Sequence, residues 1–489
     1  MDVRLVDTRD DHPRENCGLF GIYGLSDPAS VIYRGLFSLQ HRGQEGAGIV
    51  VSDGAEIRSV KGHGLVSEVL GKKNWENLSG HLGIGHVRYS TTGSSRIQNV
   101  QPLVVECVDG IWAVAHNGNL VNAVRLRKMY QDAGAIFQTG TDSEILVHLL
   151  ADPMYRSRPQ RVARALAELE GAYCFLLMTK DCILAARDHM GFRPLSLGRL
   201  GDAWIVASET CALNQTGAEH VRDVEPGELI VINESGLQSY AIPSASAEAP
   251  RLAKCVFEMV YFARPDSVVF GKNIHLVRLK YGMRLAEEHP CDADIVIPVP
   301  DSGNSAALGF SRQSGIPLDY GFIRNHYVGR TFIMPQQQDR SAGVDMKLSV
   351  LPEVVSGKRV VVVDDSIVRG TTQKRLVRRL REVGASEVHM RISCPPITHP
   401  CFYGIDFPTR EELIAGKQDV ESIRTFLGVE SLGYLSLDGL MHPFEDRQGF
   451  CSACFTGNYP TDTSGSALKH DLESTTPELK FDPRTAEQT

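Results

Sequence analysis

The stretch KRVVVVDDSIVRGTT, residues 358–372, constrains the fold of this chain more than any other feature of its sequence. Four consecutive valines are typical of a parallel strand that is buried on both faces. The segment after them predicts an amphipathic helix with a glycine stop. Its apolar stripe consists of Leu376, Val377, Leu380 and Val383, and the stop is Gly384. A similar strand and loop in ADIVIPVPDSG, residues 293–303, completes the prediction of an α/β domain with a parallel sheet.

The first half of the chain has a different pattern. Short apolar runs separated by Gly, Asp or Asn, such as HLGIGHVRYS and GAYCFLLMT, predict a strand-rich α+β domain with interleaved helices. A chain of 489 residues is too long for one ordinary core, and the Pro/Ala/Ser-rich stretch at 239–251 is typical of a linker. The predicted organisation is a leader at 1–16, a first domain at 17–240, a linker at 241–254, a second domain at 255–459 and a disordered tail at 460–489.

Composition excludes several classes of partner. The formal net charge of −8 and the pI near 6.1 give no basic field that would attract nucleic acid. The sequence contains neither a signal-peptide h-region nor an apolar run of bilayer-spanning length. These observations predict a cytoplasmic protein without a membrane or nucleic-acid partner. In that compartment the eleven cysteines are expected to be reduced thiols, catalytic residues or metal ligands.

Two adjacent carboxylates follow the valine strand. Asp364 and Asp365 stand where open α/β sheets bind ligands, at the carboxyl end of a strand. The loop from Ser366 to Thr372 opens a helix, so its N–H groups and hydroxyls are suited to a phosphate. Paired carboxylates suit sugar hydroxyls and Mg²⁺. An acidic turn without any function is the alternative for the two aspartates taken alone.

The whole string resembles the phosphoribosyl pyrophosphate (PRPP) motif of type I phosphoribosyltransferases. That resemblance implies that PRPP is bound by Asp364, Asp365, Ser366, Arg369, Gly370, Thr371 and Thr372. It also implies that PVPDSG is the pyrophosphate loop, in which Ser302 joins the two aspartates around Mg²⁺. Residues 325–348 then suit a lid that closes over a polyanion, with a plain surface loop as the alternative.

A single cysteine stands at the junction of the polar leader and the first strand-like run, in RENCGLFGIYG, residues 14–24. A lone cysteine is most often a small buried hydrophobic residue, so Cys17 alone indicates little. Three strings further on contain residues that a buried cysteine would not require. They are GHVRYST with Arg88, HNGNL with Asn117 and Gly118, and TGTDSE with Asp142.

Together with QHRGQEGAG and RDHMGFRPL, these strings resemble the N-terminal-nucleophile glutamine amidotransferase domain over residues 17 to about 235. The resemblance implies stacked antiparallel sheets flanked by helices. It also implies that residues 1–16 are a propeptide whose removal makes Cys17 the N-terminal nucleophile, with its own α-amine as general base. Arg88 would bind the glutamine α-carboxylate and Asp142 its α-amine. Asn117 and the Gly118 N–H would form the oxyanion hole.

The two resemblances combine into one reaction, and over about 17–459 the chain resembles the glutamine PRPP amidotransferase (amidophosphoribosyltransferase) family. This implies transfer of glutamine nitrogen, as channelled ammonia, to C1 of PRPP in the first committed step of purine synthesis. It also implies a homotetramer inhibited by purine nucleotides. Glucosamine-6-phosphate synthase and asparagine synthetase join a similar glutaminase to other acceptors, but neither explains VVVVDDSIVRGTT. A PRPP-sensing transcription regulator would need a basic DNA-binding module.

The string CSACF places Cys451 and Cys454 at a C-x2-C spacing that suits zinc or an iron–sulfur cluster equally. The leader-bearing subgroup of the family carries a [4Fe–4S] cluster, and its motifs match Cys255 in KCVFEMVYFARPDS and Cys401 in HPCFYGID. The resemblance therefore implies four iron–sulfur ligands. The remaining six are expected to be ordinary thiols: Cys107, Cys174, Cys182, Cys211, Cys291 and Cys394.

Overall fold

The computed structural model describes residues 17–71, 75, 78–89, 96–108, 110–151, 160–244, 251–325, 348–407 and 409–463. The leader, most of the 325–348 segment predicted as a lid and nearly all of the predicted tail lie outside these residues. Among the described residues, no helix has the length and apolar character that crossing a bilayer requires.

The first half contains thirteen strands and six α-helices among its described residues. The strands are β1 Gly18–Tyr23, β2 Gly46–Ser52, β3 Ile57–His63, β4 Leu82–Arg88, β5 Leu103–Cys107, β6 Gly110–Leu120, β7 Gly171–Met178, β8 Ile183–Arg187, β9 Ser196–Leu200, β10 Ala203–Ala207, β11 Glu219–Asp223, β12 Glu228–Asn233 and β13 Gly236–Ala241. The helices are α1 Pro28–Ser38, α2 Val66–Val69, α3 Ala123–Asp132, α4 Glu144–Ala151, α5 Gln160–Ala167 and α6 Thr210–Thr216, with 3₁₀ turns at Gln40–Arg42 and Ile97–Asn99.

These strands form two stacked antiparallel sheets, as predicted. One sheet has seven strands in the order β11-β9-β10-β1-β4-β2-β3, and the other has six in the order β13-β12-β8-β7-β6-β5. Strand β7 is apolar along its length because its two faces serve different cores. Cys174, Leu176 and Met178 pack between the sheets, whereas Tyr173 and Phe175 pack under the helices of the outer layer. The result is four layers, with helices outside and sheets inside.

The second half contains the remaining strands and helices among the described residues. The strands are β14 Lys254–Cys255, β15 Val268–Val269, β16 Lys272–Asn273, β17 Ile295–Pro298, β18 Phe322–Arg324, β19 Leu348–Val350, β20 Arg359–Asp364, β21 Glu387–Ile392, β22 Ser431–Tyr434 and β23 Phe450–Cys451. The helices are α7 Ile274–Glu288, α8 Asn304–Ser314, α9 Pro352–Val355, α10 Thr371–Glu382, α11 Ile414–Lys417, α12 Val420–Leu427, α13 Leu437–Met441 and α14 Ala453–Thr456. A π-helical turn spans Glu258–Phe262, and a 3₁₀ turn spans Arg447–Gly449.

The valine strand lies inside a four-stranded parallel sheet of order β17-β20-β21-β22, as predicted. Val360 to Val363 are fully buried because helices cover both faces of the sheet. In α10, Leu376, Val377 and Leu380 are buried, and Gly384 follows with φ +95°. Since parallel strands share one carboxyl edge, the loops after β17 and β20 lie side by side there.

The two halves pack closely where they meet. The N–H groups of Ala253 and Cys255 donate to the carbonyls of Met190 and Phe192, at 2.8 and 3.0 Å. The predicted linker thus contacts the first half at its C-terminal end. At the start of the predicted tail, the Thr461 N–H donates to the Tyr403 hydroxyl at 3.2 Å, so these first tail residues are bound to the second half.

Candidate functional site

Cys17 lies immediately before β1, beside the end of β4. Its Sγ approaches the Tyr89 carbonyl oxygen at 3.5 Å, and Gly18 pairs with Val87 in the sheet. Burial raises the pKa of the Cys17 thiol to about 11, although the Tyr89 carbonyl group and Arg88 act in the opposite direction. At neutral pH the thiol is therefore protonated in the chain that retains its leader, and a nearby base is needed to activate it.

Arg88 ends β4 and is buried, 3% exposed. Its carbonyl oxygen accepts from the Glu45 N–H at 3.0 Å, which fixes the backbone beside the loop after the Gln40–Arg42 turn. Arg88 and Asp142 both act electrostatically on the Cys17 thiol. The structure thus brings residues from three distant segments to one place.

Asn117 lies in β6 and is completely buried. Neither its Oδ1 nor its Nδ2 atom has a hydrogen-bond partner among the described residues. A buried amide without partners is costly, so such a group points to a ligand that completes it. Gly118 follows with φ +153°, and a Cβ atom there would stand 2.0 Å from the Ala172 carbonyl oxygen. No side chain fits at this position, so the backbone here can be approached closely only while the residue is glycine.

Asp142 is held near the end of β6 by two hydrogen-bond donors and a neighbouring histidine. Its Oδ2 accepts from the Leu120 N–H at 2.9 Å, and its Oδ1 accepts from Ser143 Oγ at 3.3 Å and lies 3.5 Å from His116 Nδ1. Burial opposes ionisation of Asp142, but His116 and these hydrogen bonds keep its pKa below the ordinary value. The carboxylate is therefore charged at neutral pH and able to bind an ammonium group.

The second site lies at the carboxyl edge of the parallel sheet. Asp364 and Asp365 end β20 and are buried. Asp364 accepts from Gln373 Nε2 at 3.0 Å, whereas Asp365 accepts from Ser366 Oγ at 2.5 Å through Oδ1 only. The Asp365 Oδ2 atom is buried and has no hydrogen-bond partner among the described residues. An acceptor left open in this way fits a sugar hydroxyl or a hard cation.

The loop after Asp365 leads into the N-terminus of α10. Gly370 caps the helix in the left-handed conformation, with φ +78°. Thr371 and Thr372 form the first turn, where backbone N–H groups have no partner inside the helix. Arg369 lies at the mouth of the loop, 3.6 Å from Glu412. A helix start with hydroxyls and an arginine is a suitable phosphate cradle.

The PVPDSG loop lies beside this edge. The Val299 N–H donates to the Val363 carbonyl at 2.9 Å, and a Cβ on Gly303 would stand 2.5 Å from that oxygen. Ser302, between the two contacts in sequence, is half-buried next to the end of β20. Its neighbour Asp301 pairs with Arg324. The structure therefore brings Ser302 and the aspartate pair to the same edge.

Comparison with known proteins decides the family. A glutamine amidotransferase domain model matches residues 86–215. The chain is 49% identical to the amidophosphoribosyltransferase of Bacillus subtilis over 94% of its own length and 97% of that protein. It is 48% identical to the amidophosphoribosyltransferase of Methanocaldococcus jannaschii over 92% of its length and 98% of that protein. The chain belongs to the amidophosphoribosyltransferase family. The predicted family and its membership among enzymes are confirmed.

Solved structures of the family agree in fold. The glutamine PRPP amidotransferase of B. subtilis in complex with ADP and GMP matches with a TM-score of 0.87 and 48% identity, over 93% of this chain and all of that one. A structure described as the allosteric regulatory enzyme of purine biosynthesis matches with a TM-score of 0.88 and 48% identity, over 93% of this chain and 99% of that one. The predicted combination of antiparallel sheets and a parallel sheet is confirmed.

The four cysteines singled out in this family member lie in one region, although they are far apart in sequence. Cys255 in β14 stands opposite Cys451 in the parallel β23. The Cys454 carbonyl accepts from the N–H groups of Thr398 and His399, which brings the segment before Cys401 alongside. Burial raises the pKa of each of the four thiols. Cys255, Cys401 and Cys451 all act electrostatically on Cys454.

The four cysteines are candidates to hold a [4Fe–4S] cluster, and the aspartate pair is a candidate to hold Mg²⁺. Among the residues that the structure describes, no three His, Cys, Asp or Glu side chains converge closely enough to hold one metal ion. A [4Fe–4S] cluster binds each thiolate to a different iron, so its ligands stand further apart than those of one ion. Mg²⁺ in phosphate sites keeps several waters and needs only one or two carboxylates. Both residue sets fit these groups chemically.

Sequence reasoning missed the residues that support these sites. His116 belongs to the HNGNL string, yet only its neighbours were assigned; its ring stacks on Phe175 at 4.3 Å and contacts Asp142. Gln101 was also missed, although its amide bonds both Ser143 Oγ and the His116 N–H. The motif string around His116 was the available signal, whereas nothing in the sequence marked Gln101.

Proposed function

We propose that the chain transfers the amide nitrogen of glutamine to C1 of PRPP, giving 5-phosphoribosylamine, glutamate and pyrophosphate. The observation that carries this proposal is that the chain contains two buried polar groups with no hydrogen-bond partner among the described residues. One is the Asn117 amide, in the half that contains Cys17, and the other is the Asp365 Oδ2 atom, next to the loop that suits a phosphate in the second half. A glutaminase alone would not need the second.

Hydrolysis of the Asn16–Cys17 bond first frees the α-amine of Cys17. The glutamine half-reaction can then begin. This amine, with an ordinary pKa of about 7.7 to 8.0, takes the thiol proton, and the thiolate attacks the glutamine amide carbon. Asn117 Nδ2 and the Gly118 N–H donate to the oxyanion. The α-ammonium then protonates the leaving nitrogen, which departs as ammonia, and water hydrolyses the thioester to glutamate.

Glutamine is oriented by charges at its other end. Arg88 binds the α-carboxylate, and Asp142 binds the α-ammonium group through a carboxylate that stays ionised. These two contacts select an amino acid over a simple amide, because an amide without the two charged groups would make neither charge-assisted contact.

In the second half, the aspartate pair orients the ribose of PRPP. Asp364 and Asp365 accept hydrogen bonds from its hydroxyls, while the loop from Ser366 to Thr372, including Arg369 and Gly370, binds the 5-phosphate. Ser302 and the two aspartates would hold Mg²⁺ together with the pyrophosphate, and the cation would supply positive charge beside the leaving group. Ammonia attacks C1, the C1–O bond breaks, and pyrophosphate leaves.

We infer that ammonia passes between the sites without entering bulk water, where it would be protonated and lost. The family relationship also supports a cytoplasmic homotetramer. Its activity would be inhibited by purine nucleotides, since the B. subtilis relative was solved with ADP and GMP.

The four-cysteine group is proposed to hold a [4Fe–4S] cluster through Cys255, Cys401, Cys451 and Cys454. Burial raises the pKa of the Cys255 and Cys401 thiols, and the completely buried Arg193 guanidinium acts against that rise, in the direction of the thiolates that iron binds. Since none of these cysteines belongs to the glutamine or PRPP residues, the cluster would be structural or oxygen-sensing.

The function is tested by intact mass together with anaerobic turnover of glutamine and PRPP. Active protein should begin at Cys17 and form glutamate and pyrophosphate in equal amounts. Pyrophosphate release without glutamine or ammonia would contradict nitrogen transfer. Full glutamine use by protein that retains residues 1–16 would contradict the role of the α-amine.

The cluster is tested separately by iron analysis of anaerobically purified protein. We expect about four irons per chain and a brown colour that air bleaches. The Cys451→Ser variant should lose iron, whereas the matched Cys291→Ser variant should keep it. Stoichiometric zinc without iron would refute the cluster and leave the catalytic proposal intact.

A further inference from the structure

A buried network of charges joins the two halves of the molecule. Arg42 Nη2 donates to Glu258 Oε2 at 2.5 Å, and Arg193 Nη1 donates to Glu258 Oε1 at 3.2 Å. All three side chains are at most 1% exposed. Arg42 and Arg193 belong to the first half, whereas Glu258 begins the π-helical turn of the second. The network therefore crosses the junction completely out of contact with water.

Arg42 is also fixed from its own half. Its Nε donates to Glu209 Oε1 at 2.6 Å. The Glu209 Oε2 atom accepts in turn from Ser267 Oγ at 2.6 Å and from the Arg264 N–H at 3.0 Å, both in the second half. The N–H groups of the Arg42 guanidinium thus donate to two carboxylates, Glu209 and Glu258, and each carboxylate is anchored in the second half.

The backbone around Arg42 packs against segments that carry residues assigned to glutamine. Gly43 packs so tightly on Arg88 that a Cβ there would stand 2.6 Å from the Arg88 carbonyl carbon. On the other side, the Arg42 Cβ atom lies 3.5 Å from the position a Cβ would take on Gly18. Gly18 directly follows Cys17. A shift of Arg42 would therefore displace the backbones of both the nucleophile and the arginine assigned to the glutamine carboxylate.

The π-helical turn that carries Glu258 is itself fixed from inside the second half. Arg278 in α7 donates through Nε to the Met259 carbonyl and through Nη2 to the Ala263 carbonyl, each at 2.8 Å. Arg278 is buried and lies within electrostatic reach of Asp365. Glu258 therefore has a rigid base, as a group that positions others requires.

We propose that Glu258 is a positioning residue for glutamine: through Arg42 it holds the backbones of Cys17 and Arg88, so that the glutamine pocket is complete only when the second half is docked. This inference rests on the proposed function of the glutamine site. A planar, bidentate guanidinium is essential for the role, since it is shared between two carboxylates in fixed directions. Bridging two halves in this way gives positional specificity that apolar packing of similar volume would not.

The test compares glutamine and ammonia as nitrogen donors in Glu258→Gln. We expect kcat/KM for glutamine to fall about 10- to 100-fold, mainly through KM, because displacements near 1 Å cost on the order of 100-fold. The ammonia-dependent reaction should stay within about twofold of wild type, since the PRPP residues are not in the network. That activity also demonstrates that the second half is folded. The matched control is Glu228→Gln, which removes the Arg222 ion pair of the first half and should change neither reaction.

A second variant tests the route through Arg42. Arg42→Lys keeps the charge but cannot bridge both carboxylates, so its glutamine KM should rise at least as much as in Glu258→Gln. The double variant should lose no more than Arg42→Lys alone, because Glu258 acts through Arg42. Wild-type glutamine KM in Glu258→Gln, or additive losses in the double variant, would overturn the inference. A wild-type enzyme that used neither nitrogen donor would instead refute the proposed function.

Discussion

The sites proposed for glutamine and for PRPP are assembled in opposite ways. The residues proposed to bind glutamine, Cys17, Arg88, Asn117 and Asp142, come from four separate segments and meet only because two sheets stack and β1 pairs with β4. Most PRPP residues come from one uninterrupted stretch, from Asp364 to Thr372. A site built from distant segments depends on the whole fold, whereas a site built on one strand and one helix start depends mainly on local geometry.

The carboxylates of the two proposed sites also differ in how far the protein alone satisfies them. Asp142 is surrounded by protein donors, so its pKa is below the ordinary value and its charge is fixed before any ligand arrives. Asp365 keeps one buried oxygen atom without a partner among the described residues. The first carboxylate is preorganised for a cation, and the second is completed by its ligand. Mutations should therefore separate the two sites cleanly by nitrogen donor.

The largest expected effect comes from Cys17→Ser. Glutamine-dependent turnover should fall roughly a thousandfold or more, because the hydroxyl is a far weaker nucleophile than the thiolate. Turnover with ammonia should persist, since the PRPP site does not contain this residue. Parallel assays with the two donors check the prediction, with Cys107→Ser as control. Equal loss with both donors would mean that the sites are not separable.

Asp365→Asn should affect both donors alike. Removing the charge of the open carboxylate should lower PRPP turnover about 100-fold or more with glutamine and with ammonia, because both need the sugar phosphate in position. Pyrophosphate release is the measurement, and Asp438→Asn, an exposed carboxylate of the second half, is the control. Normal ammonia-dependent turnover in the variant would remove Asp365 from the PRPP site.

Asn117→Ala sharpens the comparison within the glutamine site. Loss of one oxyanion donor should reduce kcat with glutamine by about 100- to 1,000-fold while changing KM little, because that contact strengthens only in the transition state. Steady-state kinetics with glutamine test this, against Asn214→Ala on the exposed face of α6. A raised KM with unchanged kcat would instead assign the amide to ground-state binding.

The smallest step, taken per pH unit, concerns the reactivity of the Cys17 thiol. In protein that retains residues 1–16, the raised pKa of about 11 means that the neutral Cys17 thiol predominates below that pH. Its alkylation by iodoacetamide should then accelerate about tenfold per pH unit up to pH about 11, since only the thiolate reacts. Peptide mass spectrometry follows the reaction, and Cys17→Ser identifies the labelled peptide. Alkylation that is independent of pH near neutrality would contradict a protonated thiol.

The contiguous parts of the molecule were predictable from the sequence. The string from Val360 to Gly384 contains its own strand, loop, helix stripe and stop, so pattern and structure agree there. The residues assigned to glutamine were predicted from motif strings. No periodicity in the sequence shows that these strings lie close together in the folded chain. His116 shows the limit: its role depends on stacking against Phe175 of another strand, which only the folded sheet brings near.

Buried charges were the part that sequence reasoning could not find. Arg42, Arg193 and Glu258 are residue types that are almost always exposed, so their presence in a sequence gives no sign of burial. Their contacts are visible only in the folded chain. Arg42 and its partner Glu258, for example, are more than one hundred positions apart in the sequence. The boundaries of the two halves also remain predictions.

The pairing of β14 with β23 has a consequence for synthesis on the ribosome. Cys255 begins the second half and Cys451 lies near its end, yet the two stand opposite each other in one parallel ladder. Translation at about 5–20 residues per second separates their emergence by roughly 10 to 40 seconds. During that interval the first half can already be folded, while β14 has no strand to pair with. The nascent chain therefore exposes an unpaired cysteine-bearing edge until almost all of the second half has been made.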